Sequence, residues 1–179
     1  MPRYALLIRG VNIGTKNSLP MTELRKMLMK LGCTHVQTYV QSGNAVLSTK
    51  LGPAALTKTI EAALERYMGR PIATTLRTQK QLKAIIEANP FAKVATNHAF
   101  LCVTFLSHAP TKSELAPLHS SEWTPELFHV AGKEIYTWYA NGQARSPLAG
   151  VIGKLRLRGA VTTRNWNTVL KLTQMLGEG

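Results

Sequence analysis

The order of predicted elements in the first half of the chain restricts the fold more than any other sequence feature. Apolar spacing and turn residues predict the order strand, helix, strand, strand, helix, strand. The strands are expected at about residues 3–9, 36–40, 45–48 and 72–77, and the helices at about residues 20–31 and 53–68. This order is that of the split βαβ plan of ferredoxin-like domains. The sequence therefore predicts an α+β fold.

The second half predicts a less regular version of the same plan. Helices are expected at about residues 78–89, after Thr111, from Pro147 and at about 164–176, and strands at 99–107, 126–131 and 134–139. No Pro/Ser-rich linker or low-complexity run separates the two halves. We therefore expect two packed ferredoxin-like subdomains: residues 1–77, and residues 78–179 with the C-terminal helices.

Two segments are apolar at nearly every position, Tyr4–Ile8 and Phe100–Leu106. A strand that is apolar on both faces is usually covered on both faces. We therefore expect both segments to be interior strands of their sheets.

The charge of the chain is strongly one-sided, with a formal net charge of +13 in 179 residues. Such a surface attracts nucleic acid, anionic lipid or phosphorylated metabolites, although basic charge also serves solubility alone. All nine acidic residues are glutamate, which excludes mechanisms that need aspartate, such as an EF-hand or an Asp-oriented histidine. Residues 1–22 and 135–177 contain no acid, and both stretches include polar segments of interest.

The remaining composition narrows the class of protein. Cys33 and Cys102 lie far apart in apolar surroundings, which favours two buried thiols in a reducing cytoplasm. The five histidines lack the spacing of a metal site, so neither a metal nor a cofactor is expected. No apolar run is long enough to span a bilayer and no secretion signal is apparent, so we expect a cytoplasmic protein.

Three polar segments mark the candidate site: residues 9–17 (RGVNIGTKN), 41–44 (QSGN) and 162–167 (TTRNWN). The first is not a P-loop, because three residues instead of four separate its glycines. Its NH groups, together with Arg9, Asn12 and Lys16, could bind an oxyanion; alternatively, Asn12 bonds only within its own loop. The geometry of a split βαβ unit raises an objection, since the first segment and the 41–44 turn are expected at opposite ends of neighbouring strands.

The third polar segment is expected to open the last helix. Free NH groups and the helix dipole make such a start favourable for anions, and Arg164 and Asn165 would add donors. Alternatively, a threonine caps this helix and Trp166 is a buried anchor. Arg145 is a further candidate anion contact. We predict that one polar cleft is lined by Arg9, Asn12, Lys16, Arg164 and Asn165.

Six segments together carry a family resemblance. In chain order they are Leu7–Gly14, Pro20–Arg25, Tyr39–Asn44, Ala88–Phe91, Val103–Leu106 and Thr163–Val169. With these landmarks the sequence resembles, over nearly its whole length, a bacterial family of uncharacterised proteins known as domain of unknown function 1697. The resemblance implies a cytoplasmic α+β protein with two related subdomains. The family has no established activity, so the resemblance assigns no catalytic residue.

Two functions from different classes are compatible with these features. The first is binding of a small phosphorylated or carboxylated ligand in a cleft of polar loops, by either an enzyme or a binding protein. The second is nucleic-acid binding through a basic surface without sequence preference. Base stacking on the sheet is not expected, because residues 45–48 contain no aromatic side chain and the first strand contains only Tyr4.

Overall fold

A computed structural model describes residues 1–14 and 18–178 of the chain. The fold is α+β, with two four-stranded sheets and helices between their strands. Two compact units can be distinguished: the first unit is Met1–Ile85 together with Leu170–Gly179, and the second unit is Ile86–Val169. Each unit holds one sheet, which confirms the prediction of two α+β subdomains. The predicted division after Arg77 assigns residues 170–178 to the second subdomain. In the structure these residues belong to the first unit.

The first half of the chain follows the predicted order of elements. It contains the strands β1 (Arg3–Ile8), β2 (Thr34–Tyr39), β3 (Asn44–Ser48) and β4 (Thr74–Arg77), and the helices α1 (Met21–Lys30), α2 (Pro53–Met68) and α3 (Gln79–Glu87). The strands form an antiparallel sheet in the order β2-β3-β1-β4. Strand β3 therefore lies between β1 and β2, the two strands that α1 connects, and the βαβ unit is split as predicted.

Helix α2 shows how local sequence determines an element of this unit. Pro53 occupies its first turn, where a missing NH group removes no hydrogen bond, and Gly69 ends it with a left-handed φ of 70°. Leu56, Ile60 and Leu64 recur at helical spacing and are fully buried. These three side chains join one face of β1 in a single apolar core.

The second half repeats the strand order with shorter helical connections. It contains β5 (Leu101–Leu106), α4 (Lys112–Leu115), a 3₁₀ turn (Ala116–His119), β6 (Leu127–Ala131), β7 (Glu134–Trp138), α5 (Pro147–Lys154), β8 (Val161–Asn165) and α6 (Trp166–Gly177). Its antiparallel sheet has the order β6-β7-β5-β8. The second sheet is therefore a topological copy of the first.

The expectation that the last helix starts at about Arg164 is wrong, because residues 161–165 form strand β8. β8 pairs with β5, with Arg164 opposite Val103. The pairing is reinforced by the hydroxyl oxygens of Thr104 and Thr163, which lie 2.8 Å apart. β-Branched residues suit a strand that can pair with a neighbour. The fourth strand is thus determined by a partner far away in the sequence.

Helix α6 begins at Trp166 and is capped by the residue before it. The Asn165 Oδ1 atom accepts a hydrogen bond from the Thr168 NH group at 3.0 Å, so asparagine and not threonine is the cap. Trp166 is buried, with 4% of its surface exposed, as expected for an anchor.

The two most apolar strands are interior strands. β1 lies between β3 and β4, and β5 lies between β7 and β8. Residues Tyr4–Ile8 and all six residues of β5 are buried. Both predictions about these strands are confirmed.

Within residues 1–14 and 18–178, no helix has the length and apolar character needed to cross a membrane. In the same described residues, no cluster of three His, Cys or acidic side chains could hold a metal ion.

Candidate functional site

The end of β1 meets the turn between β2 and β3. The Ile8 NH group donates to the Gly43 carbonyl oxygen at 2.9 Å, and Leu7 pairs with Asn44 across the two strands. The expectation that the first polar segment and the 41–44 turn lie at opposite ends is therefore wrong. Because β1 and β3 are antiparallel, the end of one strand lies beside the start of the other.

Asn12 ties these two polar segments together. Its Nδ2 group donates to the Leu19 carbonyl at 2.8 Å and to the Gln41 carbonyl at 2.5 Å, while its Oδ1 atom accepts from the Leu19 NH group at 2.7 Å. The residue has a left-handed φ of 56°, which asparagine tolerates better than most residues. The two bonds to Leu19 match the alternative in which Asn12 bonds within its own loop, whereas the bond to Gln41 reaches the neighbouring turn.

Two residues of the 41–44 turn give it its shape. Gly43 has a φ of 80°, and a Cβ atom there would lie 2.6 Å from the Val11 Cγ2 atom. Asn44 is completely buried, and its Nδ2 group donates to the Tyr39 carbonyl at 3.1 Å and to the Ser42 hydroxyl at 2.9 Å. Gly43 and Asn44 are therefore parts of the scaffold, and they hold the rest of the turn in position.

A cleft of about 340 Å³ opens beside this turn, at the start of α1. It is lined by Pro20, Met21, Thr22, Arg25, Thr38, Val40 and Gln41. Helix α1 supplies one wall, while the end of β2 and the following turn supply the other. Gln41, from the second polar segment, lines the wall that β2 and the turn form. Asn12, from the first polar segment, helps to position this wall through its bond to the Gln41 carbonyl.

Arg25 is the cation of the cleft among the described lining residues. Its Nη1 group donates to the Thr38 hydroxyl oxygen at 2.6 Å, and the side chain is partly buried. This bond holds the guanidinium group against β2 and leaves its other NH groups for further acceptors. No carboxylate side chain is present among the described residues that line the cleft.

The start of α1 has no side-chain cap, because its N-cap residue is Pro20. The first bond of the helix runs from the Leu24 NH group to the Pro20 carbonyl at 3.0 Å. The NH groups of the first turn, from Met21 to Glu23, find no acceptor within the part of the chain that the structure describes. A helix start of this kind favours an anion or another acceptor.

Val40 is the unusual member of the lining. It is 51% exposed although its side chain is apolar, and its φ of 50° lies in the left-handed region. β-Branched residues rarely occupy this region because the side chain crowds the backbone. Strained residues of this kind cluster at ligand sites.

The described lining of the cleft does not include Arg9 or Lys16, the remaining predicted contacts of the first unit. Arg9 is exposed at the end of β1, and its NH group donates to the Ala73 carbonyl at 3.1 Å. Arg70, which the sequence does not single out, approaches the same loop with its Nη2 group 3.4 Å from the Gly10 carbonyl. Lys16 falls on residues that the structure does not describe.

Arg145, Arg164 and Asn165 belong to the second unit. Arg145 is exposed before α5, and Asn165 caps α6 as described above. Arg164 donates to the Thr162 hydroxyl at 2.7 Å and to the Thr163 carbonyl at 2.8 Å, and burial lowers the pKa of its guanidinium group to about 10. Arg164 is therefore charged at neutral pH. The hypothesis that one cleft contains Arg9, Asn12, Lys16, Arg164 and Asn165 stays a prediction.

The two cysteines are buried free thiols, as expected. Burial raises the pKa of Cys102 to about 12 and also raises the pKa of Cys33. Both side chains are protonated near neutral pH and do not supply a reactive thiolate.

Sequence reasoning did not single out Arg25, Thr38 or Val40 as site residues. Arg25 lies on an amphipathic helix and Thr38 on a strand, where both residue types are common on solvated faces. One signal in the sequence could have indicated the open helix start. Pro20 stands at the cap position three residues before Glu23, so a capping box cannot form there.

Comparisons with known proteins relate the chain to a family. The family model described as "Protein of unknown function (DUF1697)" matches residues 1–136, which include all seven lining residues of the cleft. No curated protein matches the sequence. Among solved structures, the conserved bacterial protein SP0830 from Streptococcus pneumoniae is similar with a TM-score of 0.80 and 26% identity, over 98% of each chain.

Proposed function

We propose, for a chain that belongs to the DUF1697 family of proteins of unknown function, that the cleft at the start of α1 binds a small anionic ligand. The observation that carries this proposal is the position of Arg25. Its guanidinium group is held 2.6 Å from Thr38 beside an uncapped helix start, and no described lining residue supplies a carboxylate to neutralise it.

Two sources of positive potential converge in this cleft. A helix start carries about half a positive charge and offers NH donors, and an arginine can bind a carboxylate or phosphate through two parallel hydrogen bonds. The volume of about 340 Å³ lies at the lower end of the range typical of small-molecule sites. The size and chemistry of the cleft therefore favour a metabolite-sized anion.

The sequence-predicted contacts remain part of this proposal in different ways. Asn12 acts on the site indirectly, since it ties the loop of Arg9 and Lys16 to the Gln41 carbonyl. Arg9 and Lys16 are proposed to add charge near the cleft. Arg145, Arg164 and Asn165 remain proposed contacts of the predicted polar cleft.

The test compares two charge-neutralising variants of the same helix. Arg25→Gln removes the cation of the cleft, whereas Lys26→Gln removes an exposed cation that pairs with Glu23 at 2.9 Å and does not line the cleft. Titration calorimetry with phosphate, sulfate, acetate and a nucleotide panel measures the effect. Loss of a charged hydrogen bond worth about 1.5–3 kcal/mol weakens binding roughly tenfold to a hundredfold in Arg25→Gln.

Lys26→Gln should bind the same anions within about twofold of the parent, since exposed charges contribute little to a specific site. Equal losses in the two variants would show a general charge effect and would refute the cleft. Arg9→Gln and Arg164→Ala belong in the same series. Losses in both would support the predicted polar cleft, and no loss in either would remove it.

Nucleic-acid binding through a basic surface remains the alternative proposal, supported by the net charge of +13. The central strands β1 and β3 are buried, so base stacking on this sheet is not part of it. Binding of this kind should weaken steeply with salt and show little sequence preference. Affinity for DNA or RNA that persists at physiological salt would favour it, and absence of binding at low salt would end it.

A further inference from the structure

We propose that β6, an edge strand of the second sheet, pairs with β6 of a second copy of this chain. The two strands run antiparallel in the pair and join two four-stranded sheets into one. The proposal does not depend on the anion site, because that cleft lies in the first unit whereas β6 belongs to the second.

Three of the four edge strands in the described sheets carry a feature that blocks pairing with another chain. Strand β2 is irregular, with a shift of register against β3 in its first half. In β4, the Thr74 NH group donates to Glu61 Oε1 at 2.7 Å. In β8, Arg164 Nη1 donates to the Thr163 carbonyl at 2.8 Å. Bulges, charged side chains and occupied backbone groups protect the edge of a sheet in this way.

Strand β6 carries none of these features in the described structure. Its five residues, Leu127–Ala131, pair with β7 without a break in register and include no Lys, Arg, Glu or Pro. Leu127 is 37% exposed, and His129 is exposed on the same face of the strand. A regular and uncharged edge of this kind is a template for pairing with another strand.

The turn after β6 determines which of its backbone groups face the open side. Only Gly132 and Lys133 separate β6 from β7, so the residues that flank this turn form a hydrogen-bonded pair. Bonded pairs alternate along antiparallel strands, and the NH and carbonyl groups of Phe128 and Val130 therefore point away from β7. No described residue makes a backbone hydrogen bond to these groups from the open side.

The sequence of β6 suits antiparallel pairing with itself. A two-fold axis at His129 is the register that pairs all five residues of each strand. Phe128 then lies opposite Val130 of the second copy in a bonded pair, and the two such pairs supply about four backbone hydrogen bonds. The two His129 side chains become direct neighbours in the non-bonded pair between them, and Leu127 lies beside Ala131 of the second copy.

The charges at the two ends of β6 are complementary in this register. Glu126, which accepts from the Ser146 hydroxyl, precedes the strand, and Lys133 follows it. An antiparallel pair therefore places a carboxylate near an ammonium group at each end. Repulsion between copies is also weaker on this unit. Residues 86–169 hold eight Lys or Arg and five Glu, a formal charge of +3, whereas the other residues hold fourteen and four, a charge of +10.

The test measures self-association of the full chain. Stable interfaces bury about 1,200–2,000 Å², which a five-residue edge does not reach, so we expect a weak dimer with a dissociation constant of the order of 0.1 mM. Sedimentation velocity at physiological salt, from about 10 µM to 1 mM protein, covers this range. A protein that stays monomeric over the whole series would overturn the proposal.

His129→Lys and His129→Glu test the register. Each variant places like charges directly opposite each other at the two-fold axis, and each should weaken self-association about fivefold. An equal mixture of the two variants pairs a lysine with a glutamate and should associate at least as strongly as the parent. The matched control is His35→Lys, which adds the same charge at an exposed histidine of the irregular edge β2 and should associate like the parent.

The outcomes of this series decide the proposal. Self-association that His129→Lys and His129→Glu both retain would place the contact elsewhere and overturn it. An equal loss in His35→Lys would show a general charge effect and would also overturn it. Loss in both His129 variants without recovery in their mixture would refute antiparallel pairing at His129. Circular dichroism of each variant checks that the exposed substitutions leave the fold intact.

Discussion

Helix α1 of the first half and helix α4 of the second half occupy the same place in the plan, after the central strand that begins each sheet. In α4, the Thr111 hydroxyl accepts from the Glu114 NH group at 3.3 Å and Glu114 Oε2 accepts from the Thr111 NH group at 2.7 Å. In α1, Glu23 has the position of Glu114, but Pro20 replaces the threonine. Proline has neither a hydroxyl nor an NH group, so this capping box cannot form, and Glu23 pairs with Lys26 instead.

The second unit therefore supplies its own anion at this position. The Glu114 carboxylate accepts from the Thr111 NH group, and its Oε1 atom lies 3.1 Å from the Arg158 backbone nitrogen and 3.3 Å from Arg158 Nε. The first unit presents comparable donors, the first-turn NH groups and Arg25, around a cleft whose described lining contains no carboxylate. The comparison teaches that one cap residue decides the state of the helix start. With Thr111 the start of α4 is capped by side chains of the chain itself, whereas with Pro20 the start of α1 has no side-chain cap and is open to a ligand.

The largest expected effect tests the hairpin that shapes the open site. Gly43→Ala places a Cβ atom 2.6 Å from Val11 Cγ2 at a φ of 80°, and we expect a loss of about 2–4 kcal/mol in unfolding free energy. The matched control lies in the corresponding hairpin of the second sheet. Gly132 has a φ of 59° with no atom within 4 Å, so Gly132→Ala should cost only about 1–2 kcal/mol.

Urea unfolding of the two variants measures this difference. Equal losses would show that the close approach of Gly43 to β1 is not required. A larger loss in Gly132→Ala would reverse the comparison between the two hairpins.

A smaller effect, on anion affinity, is expected when the uncapped start of α1 is given the side-chain cap that α4 has. Pro20→Thr restores a hydroxyl and an NH group at a position with φ −56° and ψ 138°, an extended conformation close to that of Thr111. Glu23 can then complete a capping box, in which the new hydroxyl accepts from the Glu23 NH group and the Glu23 carboxylate accepts from the new NH group at position 20. We expect anion affinity to fall roughly twofold to tenfold, because one hydrogen bond of about 0.5–1.5 kcal/mol, from the Glu23 NH group, is no longer offered.

Thermal unfolding accompanies the affinity measurement for this variant. The new cap adds about 1 kcal/mol and the lost proline rigidity removes a similar amount, so the melting temperature should change little. Unchanged affinity together with a formed cap would show that the helix start does not contact the anion.

The smallest effect concerns the internal anion of the second unit. The hydrogen bond from the Thr111 backbone is the main cause that lowers the pKa of Glu114 from its ordinary value of 4.5, with help from Arg158. A lowered pKa means that the ionised form stabilises the fold above pH 4.5 and that this contribution is lost as the pH falls through the lower value. At pH 7, Glu114→Gln should lower the melting temperature by about 2 °C or less. In a plot of melting temperature against pH, the decline at acid pH (the acid limb) should be less steep for this variant than for the parent.

Glu122→Gln is the control for that measurement, since Glu122 is exposed and accepts no hydrogen bond from any described residue. Its acid limb should match that of the parent. Identical acid limbs for all three proteins would contradict the assigned role of Glu114.

Elements with strong local signals could be predicted from the sequence. Helix α2 begins and ends at the predicted residues because Pro53, Gly69 and a regular apolar spacing are all local. Strand β8 could not be predicted in the same way, since it is a polar edge strand that is determined by pairing with β5. The signal that seemed to indicate a helix start, Arg164 with Asn165, is in fact the end of that strand and the cap of α6.

The candidate site shows a similar division. The first polar segment and the 41–44 turn were recognisable from their glycines and amides, and they do meet in the structure. Arg25 and Thr38 were not recognisable, because each residue is ordinary on its own element. Only the tertiary bond of 2.6 Å between them identifies the pair.

Two hydrogen bonds from Arg3 to the last helix affect how the protein can fold during synthesis. Its Nη1 and Nη2 groups donate to the carbonyls of Leu176 and Met175, at 2.8 Å and 3.2 Å, so the first strand binds the end of the last helix. The ribosome releases residues 170–178 only after all of the second unit. The first sheet therefore emerges early but must wait until the second unit has been synthesised before these acceptors arrive, and a nascent chain stalled within the second unit would hold an incomplete first unit.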